Sequence, residues 1–190
     1  ISTTHGHINE YMFKNEKINE SVPGVYHAMG ITAETVAKRY NVTRESQDEY
    51  ALSSQHRCAE AQNQGLYDDE IIPMKTLMMV KDIETGEISE VETVVDRDNC
   101  NRPQTTLEGL ASLNPVFDPE NGSVTAGNAS QLSDGASVTM VMNADKANEL
   151  GLEPLAYFRG FTTVGCQPDE MGIGPVYSIP KLLESAGLKV

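Results

Sequence analysis

Apolar positions recur with helical spacing from residue 32 onward. Val36, Ala37 and Tyr40 share one face of a segment that Thr32 would cap and Asn41 would end, with Glu34 in the first turn, where negative charge suits the helix dipole. A second helix follows. Thr43 caps it, Glu45 lies in its first turn, Tyr50, Ser54, Cys58 and Ala61 run along one side, and Gly65 stops it. Between Asp69 and Asp96 apolar and polar residues alternate around Ile71-Ile-Pro-Met74 and Val91-Glu-Thr-Val-Val95. With Thr85-Gly86 between them, this pattern predicts strands or a hairpin on an exposed surface. Thr105 or Thr106 then starts a short helix through Leu107, Leu110 and Leu113, ended by Asn114-Pro115.

The last third alternates differently. Val138-Thr-Met-Val-Met142 is apolar, partly β-branched and of strand length; residues 144–150 read as a helix closed by Gly151; and residues 155–164 form another strand candidate. Gly172-Ile-Gly-Pro175 reads as a turn, and residues 179–186 as a helix closed by Gly187 with Pro180 in its first turn. Strand and helix in succession predict layered α/β here, whereas the first third is helix and loop. Residues 1–28 lack a sustained period, and Pro23-Gly24 marks a turn, so they read as an irregular arm.

Composition narrows the class. With 190 residues, 39% of them apolar, the chain can bury a real core as one domain or two small ones. No apolar run approaches the roughly 18 residues of a membrane helix and no signal-like N-terminus is present, which predicts a soluble globular protein. The formal charge of −14 comes from 28 acidic against 14 basic residues spread along the chain. Such a surface argues against nonspecific nucleic-acid binding, which needs a basic footprint, yet a few Lys, Arg or backbone N–H groups suffice for a phosphorylated small molecule. Cys58, Cys100 and Cys166 are odd in number and far apart, so reduced thiols are expected, with neither a disulfide framework nor a zinc site. His5-Gly-His7 and His56-Arg-Cys58 each offer two ligands but no second pair completes a site, so no metal is expected. Cys58 fits a small buried hydrophobe, and Met74, Met78 and Met79 fit a packed subunit or core surface.

The stretch that organises the rest is Gly122-Ser-Val-Thr-Ala-Gly-Asn-Ala-Ser-Gln-Leu-Ser-Asp-Gly-Ala-Ser137. It is too small and glycine-rich to be core, and its composition brings backbone close to something. Gly122, Gly127 and Gly135 permit close approach or positive φ, while Thr125, Asn128, Ser130, Ser133 and Asp134 offer short polar side chains that bond backbone or ligand.

The order Val-Thr-Ala-Gly-Asn-Ala-Ser followed by Asp-Gly-Ala resembles the signature loop of the thiolase family. The likeness extends in the family's order through Met29-Gly-Ile-Thr-Ala-Glu34, Gln47-Asp-Glu-Tyr-Ala51, Arg102-Pro-Gln-Thr-Thr106, Pro115-Val-Phe117 and Met171-Gly-Ile-Gly-Pro175. The resemblance implies an α/β, thiolase-like layered fold, incomplete here. Residues 1–131 would be a mostly helical loop domain covering CoA, residues 132–153 the end of the N-terminal core domain, and residues 154–190 the start of the C-terminal one. It also implies coenzyme A and acyl-CoA thioesters as ligands, with CoA a substrate and no separate cofactor. Ala126, Ala129 and Ser130 would line the pantetheine tunnel, Met29 and Met171 would flank the reacting acyl group, and Arg102 and Phe117 would meet the nucleotide. A tunnel of small residues suits a long neutral arm, and a guanidinium suits either adenine or phosphate.

Thiolase chemistry in the family uses two activated cysteines, a histidine and an oxyanion-stabilising asparagine. The resemblance places all of these outside the matched motifs, so no catalytic residue is expected among Cys58, Cys100 and Cys166. A chain that starts at Ile1 reads as the middle of a longer enzyme. The family pattern departs at Gly109, where a polar side chain often helps hold the nucleotide, and Ala28 favours a degradative 3-ketoacyl-CoA thiolase. The complete enzyme would cleave 3-ketoacyl-CoA with CoA to acetyl-CoA and a shortened acyl-CoA, in fatty acid β-oxidation, as a homo-oligomer in the cytoplasm or an oxidative organelle. Its partners would include the remaining thiolase core segments. The rival readings are a non-catalytic CoA or acyl-CoA binding module and an oligomerisation segment.

Overall fold

The computed structural model describes residues 14–190. They form two compact units. One comprises the described residues through Val42 with Val116–Val124 and Leu132–Val190, and the other Thr43–Pro115 with Thr125–Gln131.

In the first unit, α1 (Glu16–Ser21) is capped by Asn15, whose side chain accepts from the N–H of Ile18. This helix lies within the arm expected to be irregular, and the part of that arm before residue 14 lies outside the described residues. After the Pro23-Gly24 turn, α2 spans Met29–Arg39. It starts from Ala28, a turn before the expected cap. Thr32 sits inside it and donates its Oγ1 hydrogen back to the Met29 carbonyl (2.8 Å), so its hydroxyl is spent within the helix. Glu34 is therefore not a first-turn residue at all, but a buried carboxylate beyond it. Further on come α5 (Ala144–Glu149), a 3-10 helix (Pro168–Ile173) and α6 (Gly174–Ser185). The 3-10 helix packs against α2 and against α6.

Two expected strands do not form. Residues 138–142 and 155–164 are unpaired, and Val138 and Leu155 stand 99% and 104% exposed. A strand needs a neighbour to take its backbone groups, and these two segments have none among the described residues. The Gly172–Pro175 segment is not a turn either. It joins the 3-10 helix to α6, whose first turn accepts Pro175 because the N–H missing there has no helical partner anyway. Pro180 consequently falls inside α6.

The second unit holds α3 (Arg44–Asn63), the hairpin β1 (Met74–Lys81) and β2 (Ile88–Val95), and α4 (Leu107–Ala111). Thr43 caps α3 by accepting from the N–H of Ser46, and Thr106 caps α4 by accepting from Gly109. The hairpin pairs antiparallel from Met74 opposite Val95 to Lys81 opposite Ile88. One of its faces, Met74, Thr76, Met78 and Val80 against Ser89, Val91, Thr93 and Val95, carries no charge. The other brings Lys75 and Lys81 together with Glu90 and Glu92. The side of α3 bearing Tyr50 and Cys58 is not a core face: Tyr50 is exposed and Cys58 only half-buried.

Four helices end alike. Asn41, Gly65, Gly151 and Gly187 have positive φ, and the next residue donates to a carbonyl five back, as Leu66 does to Ala61 (3.0 Å). These local stops are all legible as punctuation in the sequence.

Candidate functional site

The segment from Gly122 to Gln131 is gripped at two points, and each grip is a buried carboxylate from a different helix. In the first unit Glu34, 5% exposed, receives the N–H of Ser123 on both of its oxygens (2.9 and 3.0 Å). It also receives the Ser123 hydroxyl (3.1 Å) and the N–H of Val124 (2.8 Å). Gly122 is glycine because a Cβ there would lie 2.5 Å from the Asp118 carbonyl oxygen and 2.7 Å from Glu34 Oε1. Val116 completes the arrangement, donating its N–H to the Val124 carbonyl (3.0 Å).

In the second unit the turn closes on itself. The Asn128 Oδ1 accepts from the N–H of Thr125 (2.8 Å), and the Thr125 Oγ1 accepts from the N–H groups of Gly127 (3.2 Å) and Asn128 (3.3 Å). Asn128 Nδ2 then donates to Asp48 on α3 (3.0 Å), and Asp48 also receives Arg44 Nε (2.7 Å). Thr125 is 1% exposed, the most deeply buried side chain described, so this part of the run is core in spite of its small residues. Gly127 packs on α4, since a Cβ would come within 2.6 Å of both Leu110 and Leu113 side chains. Gly135 has open space around it, and none of Gly122, Gly127 and Gly135 has positive φ; close approach is what the first two supply.

The N–H groups of Thr125, Gly127 and Asn128 are taken up within the turn, and Ala126, Ala129 and Ser130 are exposed. Ser130 donates its hydroxyl hydrogen to the Gln131 carbonyl (3.2 Å). In the same unit Arg102 is exposed. Its N–H donates to Gln55 Oε1 (2.6 Å), its carbonyl accepts from Thr105, and its guanidinium makes no ion pair among the described residues. The other three expected site residues belong to the first unit. Phe117 lays its ring on Gly30 of α2, where a Cβ would lie 2.0 Å from Phe117 Cε2; Met29 opens α2 and is 73% exposed; and Met171 lies exposed in the 3-10 helix.

An ion-pair cluster orders the 3-10 helix. Arg39 engages Asp169 through two nitrogens (2.7 and 3.4 Å) and Glu170 through one, and the Tyr40 hydroxyl donates to Glu170 (2.9 Å). The hydrogen bond from Arg39 holds the Asp169 carboxyl below its ordinary range, and that to Glu170 pushes the Tyr40 phenol up to about 12. Lys38 pairs with Asp118 (2.8 Å), lowering the Asp118 pKa. None of Glu34, Arg39, Asp48, Asp169 and Glu170 stands out as a site former in the sequence. Only the Arg44/Asp48 spacing of four, on one helix face, offers a local signal.

None of the three thiols is in a disulfide, and Cys166 is half-buried 3.9 Å from the Met171 carbonyl oxygen and not at the end of a strand. Among the described residues no three His, Cys, Asp or Glu side chains converge as metal ligands, and no helix is long and apolar enough to cross a membrane.

The run of small residues that is bonded to Glu34 in one unit and to Asp48 in the other, with Ala126 and Ala129 exposed, is the stretch that resembles the thiolase signature, and known proteins agree with that resemblance. Residues 3–145 match the family described as thiolase, N-terminal domain, and residues 152–190 match thiolase, C-terminal domain. The chain belongs to the thiolase family. Among its relatives, the mouse peroxisomal 3-ketoacyl-CoA thiolase B is 43% identical over 98% of this chain and 42% of its own length. The 3-ketoacyl-CoA thiolase of Bacillus subtilis is 44% identical over 97% and 46%. The crystal structure of the dimeric peroxisomal thiolase of Saccharomyces cerevisiae superposes with a TM-score of 0.78 at 36% identity, over 97% of this chain and 44% of that one. Human mitochondrial 3-ketoacyl-CoA thiolase gives 0.68 at 40% identity over 85% and 38%. The α/β fold is thus that of the thiolases, and the chain spans about two fifths of the length of these relatives.

Proposed function

We propose that this chain carries the coenzyme A-binding part of a 3-ketoacyl-CoA thiolase, an acyltransferase that cleaves 3-ketoacyl-CoA with CoA to acetyl-CoA and a shortened acyl-CoA in fatty acid β-oxidation. The observation that carries the reading is the turn from Thr125 to Ser130. Its N–H groups at Thr125, Gly127 and Asn128 are satisfied within the turn, so Ala126, Ala129 and Ser130 present a smooth, small surface. A pantetheine arm, long and mostly neutral, is suited to such a surface. Arg102, with no carboxylate pairing its guanidinium among the described residues, stacks on adenine or meets phosphate in this reading, Phe117 meets the nucleotide, and Met29 and Met171 flank the acyl group.

In this reading residues 1–131 form the CoA-covering loop domain, 132–153 end the N-terminal core and 154–190 begin the C-terminal core. The bare apolar segments around Val138 and Leu155 pair with further thiolase core strands, and the enzyme works as a homo-oligomer. CoA is a substrate, no separate cofactor is used, and the cysteines and histidine of the chemistry are not Cys58, Cys100, Cys166 or the histidines of this chain. The test joins calorimetry with an assay of acetoacetyl-CoA thiolysis on the 190-residue chain. CoA binding without turnover is expected. Turnover abolished by thiol alkylation would overturn the assignment of the chemistry elsewhere, and absence of CoA binding would overturn the binding role.

A further inference from the structure

We infer that Asp48 is the positioning residue of the exposed Ala126–Ser130 surface, acting through the side-chain amide of Asn128. Asp48 is 3% exposed and divides its oxygens: Oδ2 accepts Arg44 Nε (2.7 Å), and Oδ1 accepts Asn128 Nδ2 (3.0 Å). Arg44 cannot follow a displaced partner, because its Nη2 is committed to the carbonyls of Leu110 (2.6 Å) and Leu113 (3.1 Å) at the end of α4. Leu110 and Leu113 are also the side chains on which Gly127 rests, so α4 supports both the carboxylate and the loop.

The amide of Asn128 has two orientations, and Asp48 selects one. With Nδ2 toward the carboxylate, Oδ1 is left facing the N–H of Thr125, the bond that closes the turn (2.8 Å). Reversed, Oδ1 would face a carboxylate and Nδ2 an N–H donor. A group that accepts on both sides is therefore required at position 48. An asparagine in its place must aim its NH2 either at Arg44 Nε or at Asn128 Nδ2. In the second case Asn128 turns over to accept from it, and the Thr125 N–H loses its acceptor. Loop shape thus depends on a charge on α3, eighty positions away in sequence.

This rests on the reading that the loop faces CoA, and the test separates the two. Asp48→Asn, Asn128→Asp and the exchanged pair D48N/N128D are compared by amide hydrogen exchange of residues 125–130 and by CoA affinity. In the exchanged pair the amide now at position 48 accepts from Arg44 and donates to the carboxylate now at position 128. That carboxylate still accepts from Thr125, so the bonds to Arg44, to Thr125 and between positions 48 and 128 are restored. Asp48→Asn is expected to speed loop exchange and weaken CoA binding about tenfold, and D48N/N128D to recover both to within about threefold. A double variant no better than the single ones, or loop exchange unmoved by Asp48→Asn, would overturn the inference. If the single variants do not fold, recovery of folding by the exchanged pair carries the same decision. A wild-type chain that shows no affinity for CoA sinks the CoA reading, while the exchange data still decide the role of Asp48.

Discussion

Glu34 makes the sharpest stability prediction because its two truncations should behave differently. Glu34→Ala removes the acceptor of two backbone N–H groups, Ser123 and Val124, and of the Ser123 hydroxyl. Val124 is buried, and Glu34 Oε1 lies close behind Gly122, 2.7 Å from where a Cβ there would stand. A buried donor left unpaired costs about 1–3 kcal/mol, so the two N–H groups together put the loss at about 2–6 kcal/mol. Glu34→Gln should cost only about 1 kcal/mol. Its carbonyl oxygen at the Oε1 position still takes both N–H groups, and the cost that remains comes from its NH2, which replaces the Oε2 that shared the Ser123 N–H (3.0 Å) and took the Ser123 hydroxyl (3.1 Å). Urea unfolding followed by circular dichroism measures both, read as a shift of midpoint at constant m-value. The reasoning fails if Glu34→Ala stays within about 0.5 kcal/mol of wild type, or if Gln costs as much as Ala.

Two further outcomes follow from the same unit. Asp169, whose carboxyl is held low by Arg39, contributes stability that is in place above its ordinary value of 3.8 and is lost as pH falls through the depressed native pKa. The acid-side decline of the urea midpoint should therefore flatten in Asp169→Asn, and an unchanged profile would count against the pair. Gly24 is buried with φ of +88°, and a Cβ would stand 2.6 Å from Asp169 Cβ, so Gly24→Ala should lower stability by about 2 kcal/mol or more in thermal melts.

Whatever is decided within a few residues can be read from the sequence. Thr43 and Thr106 cap their helices, Gly65, Gly151 and Gly187 close theirs, and the alternating stretch around Thr85-Gly86 makes its hairpin. The signature loop is recognisable by the order of its residues. What holds it is not legible, because Glu34 meets Ser123 across 89 positions and Asp48 meets Asn128 across 80, and no local pattern encodes such pairs. Glu34 even has a sound local role, near a helix start, which its true partner displaces. Residues 138–142 and 155–164 fail for the opposite reason: their composition suits strands, but pairing is a property of neighbours. Gly172–Pro175 misleads because glycine and proline punctuate both turns and helix starts.

The mutual closure of Thr125 and Asn128 has a consequence for the heat and entropy of recognition. Because the turn takes its shape from its own bonds and from Asp48, its ordering entropy is lost once, on folding, and not again on each encounter. An extended ligand laid along Ala126 and Ala129 then freezes chiefly its own rotors. Association should proceed without a slow rearrangement phase, and affinity should track the stiffness of the ligand more than that of the protein.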